Sequence, residues 1–173
     1  MKKEVRTILK ERAVAMALED DQNKVTSATV EIIEFALATE SYGIEAAFVK
    51  EVYPLKDFTP LPGVPSYIMG LVNVRGQILP VVDLRKFFSL SERGLGEMNK
   101  VIILRNDQME FGIVADVVEG TRTLAIDDIM VTPVTVTGIG EPYLKGVTKE
   151  HIVVLDAESL LNDKKMIINE IVL

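Results

Sequence analysis

The sequence predicts an all-β fold of two small barrels packed together, with an amphipathic helix ahead of them. Three observations carry that reading. Short runs rich in Val and Ile recur every ten residues or so between turn signals, as in a sandwich or barrel. The order of several short motifs in the first half of the chain returns in the second. At 173 residues and 48% hydrophobic, the chain can bury one core, or two small ones in contact, without a disulfide or a metal.

Residues 4–19 read as the helix. Val5, Ile8, Leu9, Ala13, Met16 and Ala17 share one face, with Lys2, Arg6, Lys10 and Glu11 elsewhere. Such a helix packs on its own domain, reaches a partner, or stays a partly disordered extension, and the pattern alone leaves all three open. "EDDQNK" (19–24) is a polar break and a linker. From Thr29 the texture changes. "TVEIIEF" (29–35) alternates and is β-branched, which predicts a strand. "VIILR" (101–105), "FGIVADVV" (111–118) and "IVVL" (152–155) are further short apolar runs. "PLPGVP" (60–65) is an irregular connection, because proline cannot donate to a ladder. "SLSERGLGEM" (89–98) reads as a mobile loop.

The chain nearly repeats itself across that loop. "YGI" (42–44) returns as "FGI" (111–113), and "VKEV" (49–52) as "VVEG" (117–120). "YIMG" (67–70) returns as "YLKG" (143–146), and "ILPVVD" (78–83) as "IVVLD" (152–156). A duplicated β unit explains the shared order. Chance similarity among Val-rich strands is the competing explanation.

Composition removes several function classes. Without cysteine there is no disulfide, thiol nucleophile or Cys-based metal site, and a reducing cytosol suits the chain. No apolar run approaches the ~18 residues of a membrane span, and residues 1–12 lack the apolar core of a signal peptide. The expectation is a soluble, cytoplasmic protein. Residues 1–12 carry a net charge of +3 and the rest −10, so no basic face is offered to a duplex and nucleic acid is not an expected partner. His151 is the single histidine, with no nucleophile motif, calcium loop or phosphate loop beside it. No reaction can be assigned, and no cofactor is expected.

"NVRG" (73–76), set between two apolar runs, is the more informative motif. Gly76 allows a left-handed turn conformation and Asn73 tolerates one while bonding nearby backbone. Arg75 between them carries a planar five-donor head suited to a carboxylate or to backbone carbonyls across an interface. The internal alternative is an ion pair with Asp83 or Glu51 that fixes the loop.

The segment "YGIEAAFVKEV…PLPGVPSYIMGLVNVRGQILPVVDLRKFF" (42–88) closely resembles the CheW family of chemotaxis coupling proteins. Its Gly-x-x-Asn-x-Arg-Gly turn followed by Pro-[IV]-[IV]-Asp-Leu is met here by Gly70, Asn73, Arg75, Gly76, Pro80, Val81, Val82, Asp83 and Leu84. The likeness continues through "FGIVADVVEG", "YLKG" and "VVLDAESLL", so it covers about residues 29–162. It implies a non-catalytic adaptor with no cofactor and two SH3-like five-stranded β-barrels. It leaves 1–28 as a helical extension with its linker and 163–173 as a tail. The implied partners are the regulatory domain of the histidine kinase CheA and the cytoplasmic tip of methyl-accepting chemoreceptors, with no direct membrane insertion. Receptor docking in the family uses the groove between the barrels near the arginine turn. Carried over by position, Asn73, Val74, Arg75 and Gly76 are expected at the receptor or kinase interface, together with Val49 and Glu51. Pro80, Asp83 and Arg85 are expected to be structural, closing a strand and orienting the turn. A stand-alone SH3-like module that uses the basic N-terminal helix as its arm is the rival reading.

Overall fold

The computed structural model describes residues 28–90, 98–131 and 139–166. The predicted helix over 4–19 lies outside them, as do residues 91–97 of the predicted loop, residues 132–138, and the tail beyond 166. The described residues form ten strands and two short α-helices: β1 Thr29–Leu37, β2 Glu40–Glu45, β3 Val49–Pro54, β4 Ile68–Val74, β5 Gln77–Val82, α1 Leu84–Phe87, β6 Lys100–Arg105, β7 Glu110–Ala115, β8 Val117–Ala125, β9 Leu144–Val147, β10 Val153–Leu155 and α2 Ala157–Leu161. The mostly β class expected from the sequence holds. "PLPGVP" is irregular, as its prolines require.

Two five-stranded sheets result, in the orders β8-β1-β2-β10-β9 and β3-β6-β7-β5-β4. Advancing every strand number of the first by five, around the ten, reproduces the second. The duplication is therefore present in the topology, but the sheets do not coincide with the halves of the chain. Each sheet takes two strands from one half and three from the other. The seams between halves are the antiparallel pairs β1·β8 and β3·β6 and the parallel pairs β2·β10 and β5·β7, and parallel neighbours require a crossover rather than a tight turn. The chain changes sheet between β2 and β3 through a 3-10 turn, Ala46–Phe48, and between β7 and β8 at Asp116. The single run read as "FGIVADVV" is thus two strands. Asp116 divides them because its carboxylate accepts from the backbone N–H groups of Ala38 and Met98, while its own N–H reaches Ala36.

The halves repeat in detail. Asp83 caps α1 by accepting from Arg85 N, and Asp156 caps α2 by accepting from Ser159 N. The Asp83 and Asp156 N–H groups donate to the carbonyls of Tyr67 and Tyr143, each over 2.8 Å. Beyond β3, Thr59 pairs with Leu71 of β4; beyond β8, Met130 pairs with Val147 of β9. One antiparallel bridge thus joins the two edges of each sheet. Gly70 and Gly146 permit it, since a β-carbon at either would press into the backbone of Thr59 or Met130.

The largest core cluster lies across both sheets. Phe35, Ile44 and Leu155 of the first meet Val82, Ile102, Phe111 and Ile113 of the second, with Leu84 and Leu160 from the helices. At its margin Phe87 makes edge-on contacts with Tyr67 and Tyr143, ring centroids 5.0 and 5.3 Å apart. Smaller clusters fill each sheet separately, around Val101 and Ile103 in one and Ile32 and Val154 in the other.

Candidate functional site

The β4–β5 hairpin turns on two residues, Arg75 and Gly76, with φ of 53° and 85°. Positive φ at both centres is the signature of a type I′ turn, whose twist matches that of the flanking strands. The left-handed position is therefore held by Arg75, not by Asn73 as the sequence suggested. Asn73 is still in β4, and its Oδ1 accepts the Gly76 N–H over 2.9 Å. β4 buries Val72 and Val74 beneath the turn and turns Asn73 outward. Val74, expected in the contact surface, is thus a packing residue that supports the turn from below.

At the tip Arg75 makes the internal pair, with Glu51, and still reaches solvent. Its Nε lies 3.3 Å from Glu51 Oε2 on β3, while its side chain remains 77% exposed. Asp83, the other partner considered, lies at the far end of β5. Glu51 is 22% exposed, and its Oε1 is buried without a hydrogen-bond partner. Such an exposed ion pair contributes about 0–1 kcal/mol to folding, so it positions the head more than it stabilises the chain. Gln77 and Lys50 both donate to Glu110, over 3.0 and 2.9 Å, and fix the base of the hairpin to β3 and β7.

The remaining expected residues sort by burial. Val49 is half-buried against the central cluster. Pro80 lies within β5 opposite Leu71, one residue before parallel pairing with β7 begins at Val81, so it is not at the strand end. Asp83 and Arg85 are buried and structural. Arg85 Nε lies 3.6 Å from Asp83 Oδ1 and its Nη2 donates to Met98 Sδ. They close β5 and start α1, and they do not orient the arginine turn at its opposite end. His151 is exposed with φ of 66° in the β9–β10 connection.

Sequence reasoning missed Ile78, 64% exposed and directly opposite Asn73. The signal was available: a two-residue turn fixes the register, and an apolar residue then falls on the outward face. Beside it runs a groove of about 940 Å³, with Leu71, Ile78, Met109 and Leu161 on its walls among polar residues such as Arg105, Asp107 and Glu110. Asp163, on its far wall, accepts the Tyr143 hydroxyl, and that bond together with burial pushes Tyr143 up to about 12. An exposed arginine, an amide-braced turn and the exposed Ile78 thus lie together beside a groove whose walls are both apolar and polar.

A family model described as the CheW-like domain matches residues 31–165. The chemotaxis protein CheW of Treponema pallidum is 31% identical over 165 residues, covering 91% of this chain and 93% of the relative. That of Klebsiella aerogenes is 31% identical over 149 residues, covering 83% and 90%. Among solved structures, the scaffolding protein TtCheW of Thermoanaerobacter tengcongensis matches with a TM-score of 0.67 at 28% identity, covering 80% of this chain and 96% of that one. With the family model matched over residues 31–165 and relatives 31% identical over most of both chains, the chain belongs to the CheW family.

Proposed function

We propose that this chemotaxis adaptor couples the cytoplasmic tip of a methyl-accepting chemoreceptor to the regulatory domain of the histidine kinase CheA, without catalysis of its own. The observation that carries the reading is the Arg75 hairpin: a mostly exposed guanidinium tethered to Glu51, beside Asn73, the exposed Ile78 and a groove of mixed polarity. In this reading a carboxylate of the receptor tip pairs with Arg75 and an apolar side chain packs on Ile78. The rest of the described residues holds that hairpin in place. Each sheet closes as an SH3-like barrel in this reading, supported by the bridges Thr59–Leu71 and Met130–Val147. The protein works in the cytoplasm, joined to the membrane only through the receptor; no helix among the described residues is long and apolar enough to cross one.

A three-component pull-down tests it. The full chain retains both a receptor tip and the CheA regulatory domain, and Arg75→Ala loses the receptor alone with its circular dichroism unchanged. Binding of neither partner by the parent chain contradicts the proposal.

A further inference from the structure

The sheet that carries the Arg75 hairpin ends in polar side chains, and the pleat of its strands puts them on one side. Val114 of β7 and Leu79 and Val81 of β5 belong to the inner cluster of that sheet. Glu110 and Gln77 stand an even number of residues from them, so both project to the inner side at the strand ends. β3 reaches that side by a different route. Val49 packs on the central cluster shared by the two sheets, whereas Tyr53 packs on the inner one. In a regular strand those two residues would share a face. The register of β3 against β6 shifts between Val49 and Glu51, and such a bulge exchanges the faces. Lys50 takes the face opposite Val49, and Glu51 takes that of Tyr53. Two neighbours in sequence therefore point inward together.

The contacts agree with that placement. Glu110 uses both carboxylate oxygens, Oε1 accepting from Lys50 Nζ over 2.9 Å and Oε2 from Gln77 Nε2 over 3.0 Å. Glu51 gives Oε2 to Arg75 and keeps Oε1 buried without a hydrogen-bond partner. A lysine ammonium is a compact charge on a flexible stem, and Lys50 adjoins that unpaired oxygen in the chain. Its partner is nevertheless Glu110, whose side chain is only 14% exposed.

We propose that Glu110 is a positioning residue for Arg75: by holding Lys50 it reserves Glu51 for the arginine. Without the Glu110 charge, Lys50 turns to Glu51 and displaces Arg75, whose largely exposed head has water as its alternative. The inference deepens the coupling reading and rests on it for its effect on receptor binding.

The test breaks one ion pair from its two ends in the full chain. Order at the arginine is read from nitrogen relaxation of the Arg75 Nε–H, and binding from titration with a chemoreceptor cytoplasmic tip. Glu110→Gln keeps an acceptor for Gln77 and frees Lys50; the Arg75 head is expected to become mobile and the affinity to fall about fivefold. Lys50→Met breaks the same pair but adds no competitor, so both readouts stay at the parent level. Adding Lys50→Met to Glu110→Gln restores them. Equal losses in the two single variants reduce the pair to a structural tie and overturn the proposal. So does a Glu110→Gln chain with an ordered Arg75 head, or a double variant that stays mobile. A parent chain that binds no receptor tip contradicts the coupling reading, while the order of the Arg75 head still decides whether Glu110 positions it.

Discussion

Arg75 sits in a backbone region that costs a non-glycine residue about 1–2 kcal/mol, and its ion pair with Glu51 returns no more than about 1 kcal/mol. Folding therefore gains nothing from an arginine here, which locates its value in what the head can reach. Arg75→Ala is expected to change unfolding free energy by less than about 1 kcal/mol. The same change weakens receptor-tip binding by about 2 kcal/mol, or roughly 30-fold. Urea unfolding and isothermal titration check the two halves of that statement. Asp83 presents the opposite case, since it caps α1 and is the carboxylate nearest the buried Arg85 guanidinium. Asp83→Ala removes a cap and strands a buried cation, a loss of about 3–5 kcal/mol. Its counterpart Asp156→Ala removes a cap alone and costs about 1 kcal/mol. Equal losses in a urea titration would contradict the distinction.

At the scale of elements, strands with strong Val and Ile content were legible, and β1, β6 and β10 fall where their patterns put them. The repeat was legible too, through "YGI", "YIMG" and "ILPVVD" and their counterparts in the second half. Its assembly was not, because the exchange of strands between halves depends on the long-range pairs β1·β8, β2·β10, β3·β6 and β5·β7, which leave no local trace. β8 escaped for a different reason: beyond Val118 its outward residues are Glu119, Thr121 and Thr123, and no apolar run marks it as a strand. At the site, Asn73, Arg75 and Gly76 were found from turn chemistry. Ile78 needed the register, and the demotion of Val74 needed the pleat. Gly70→Ala tests an element directly. Its new β-carbon meets the Thr59 backbone, which cannot move aside without breaking the Thr59–Leu71 bridge. A loss of about 3 kcal/mol is expected, with Thr59 and Leu71 amides exchanging faster than those of Met130 and Val147.

For the molecule as a whole, strand exchange makes the sheets inseparable, because neither can be completed without chain from both halves. The shared core from Phe35 to Ile113 reinforces that dependence. Thermal unfolding is expected as one cooperative transition, with amides of both sheets melting together despite their separate inner clusters. Two resolved transitions would show that each sheet holds itself. A rigid, interlocked body also makes the Arg75 hairpin a fixed surface, so its partner meets a preformed site. The central claim is that this hairpin is where the receptor docks, and the most direct measurement is an amide chemical-shift map of the full chain titrated with a chemoreceptor cytoplasmic tip. The account predicts shifts concentrated at Asn73–Ile78, Glu51 and the groove residues Met109 and Leu161, and their loss in Arg75→Ala. Shifts centred on the other sheet, with the hairpin silent, would contradict it.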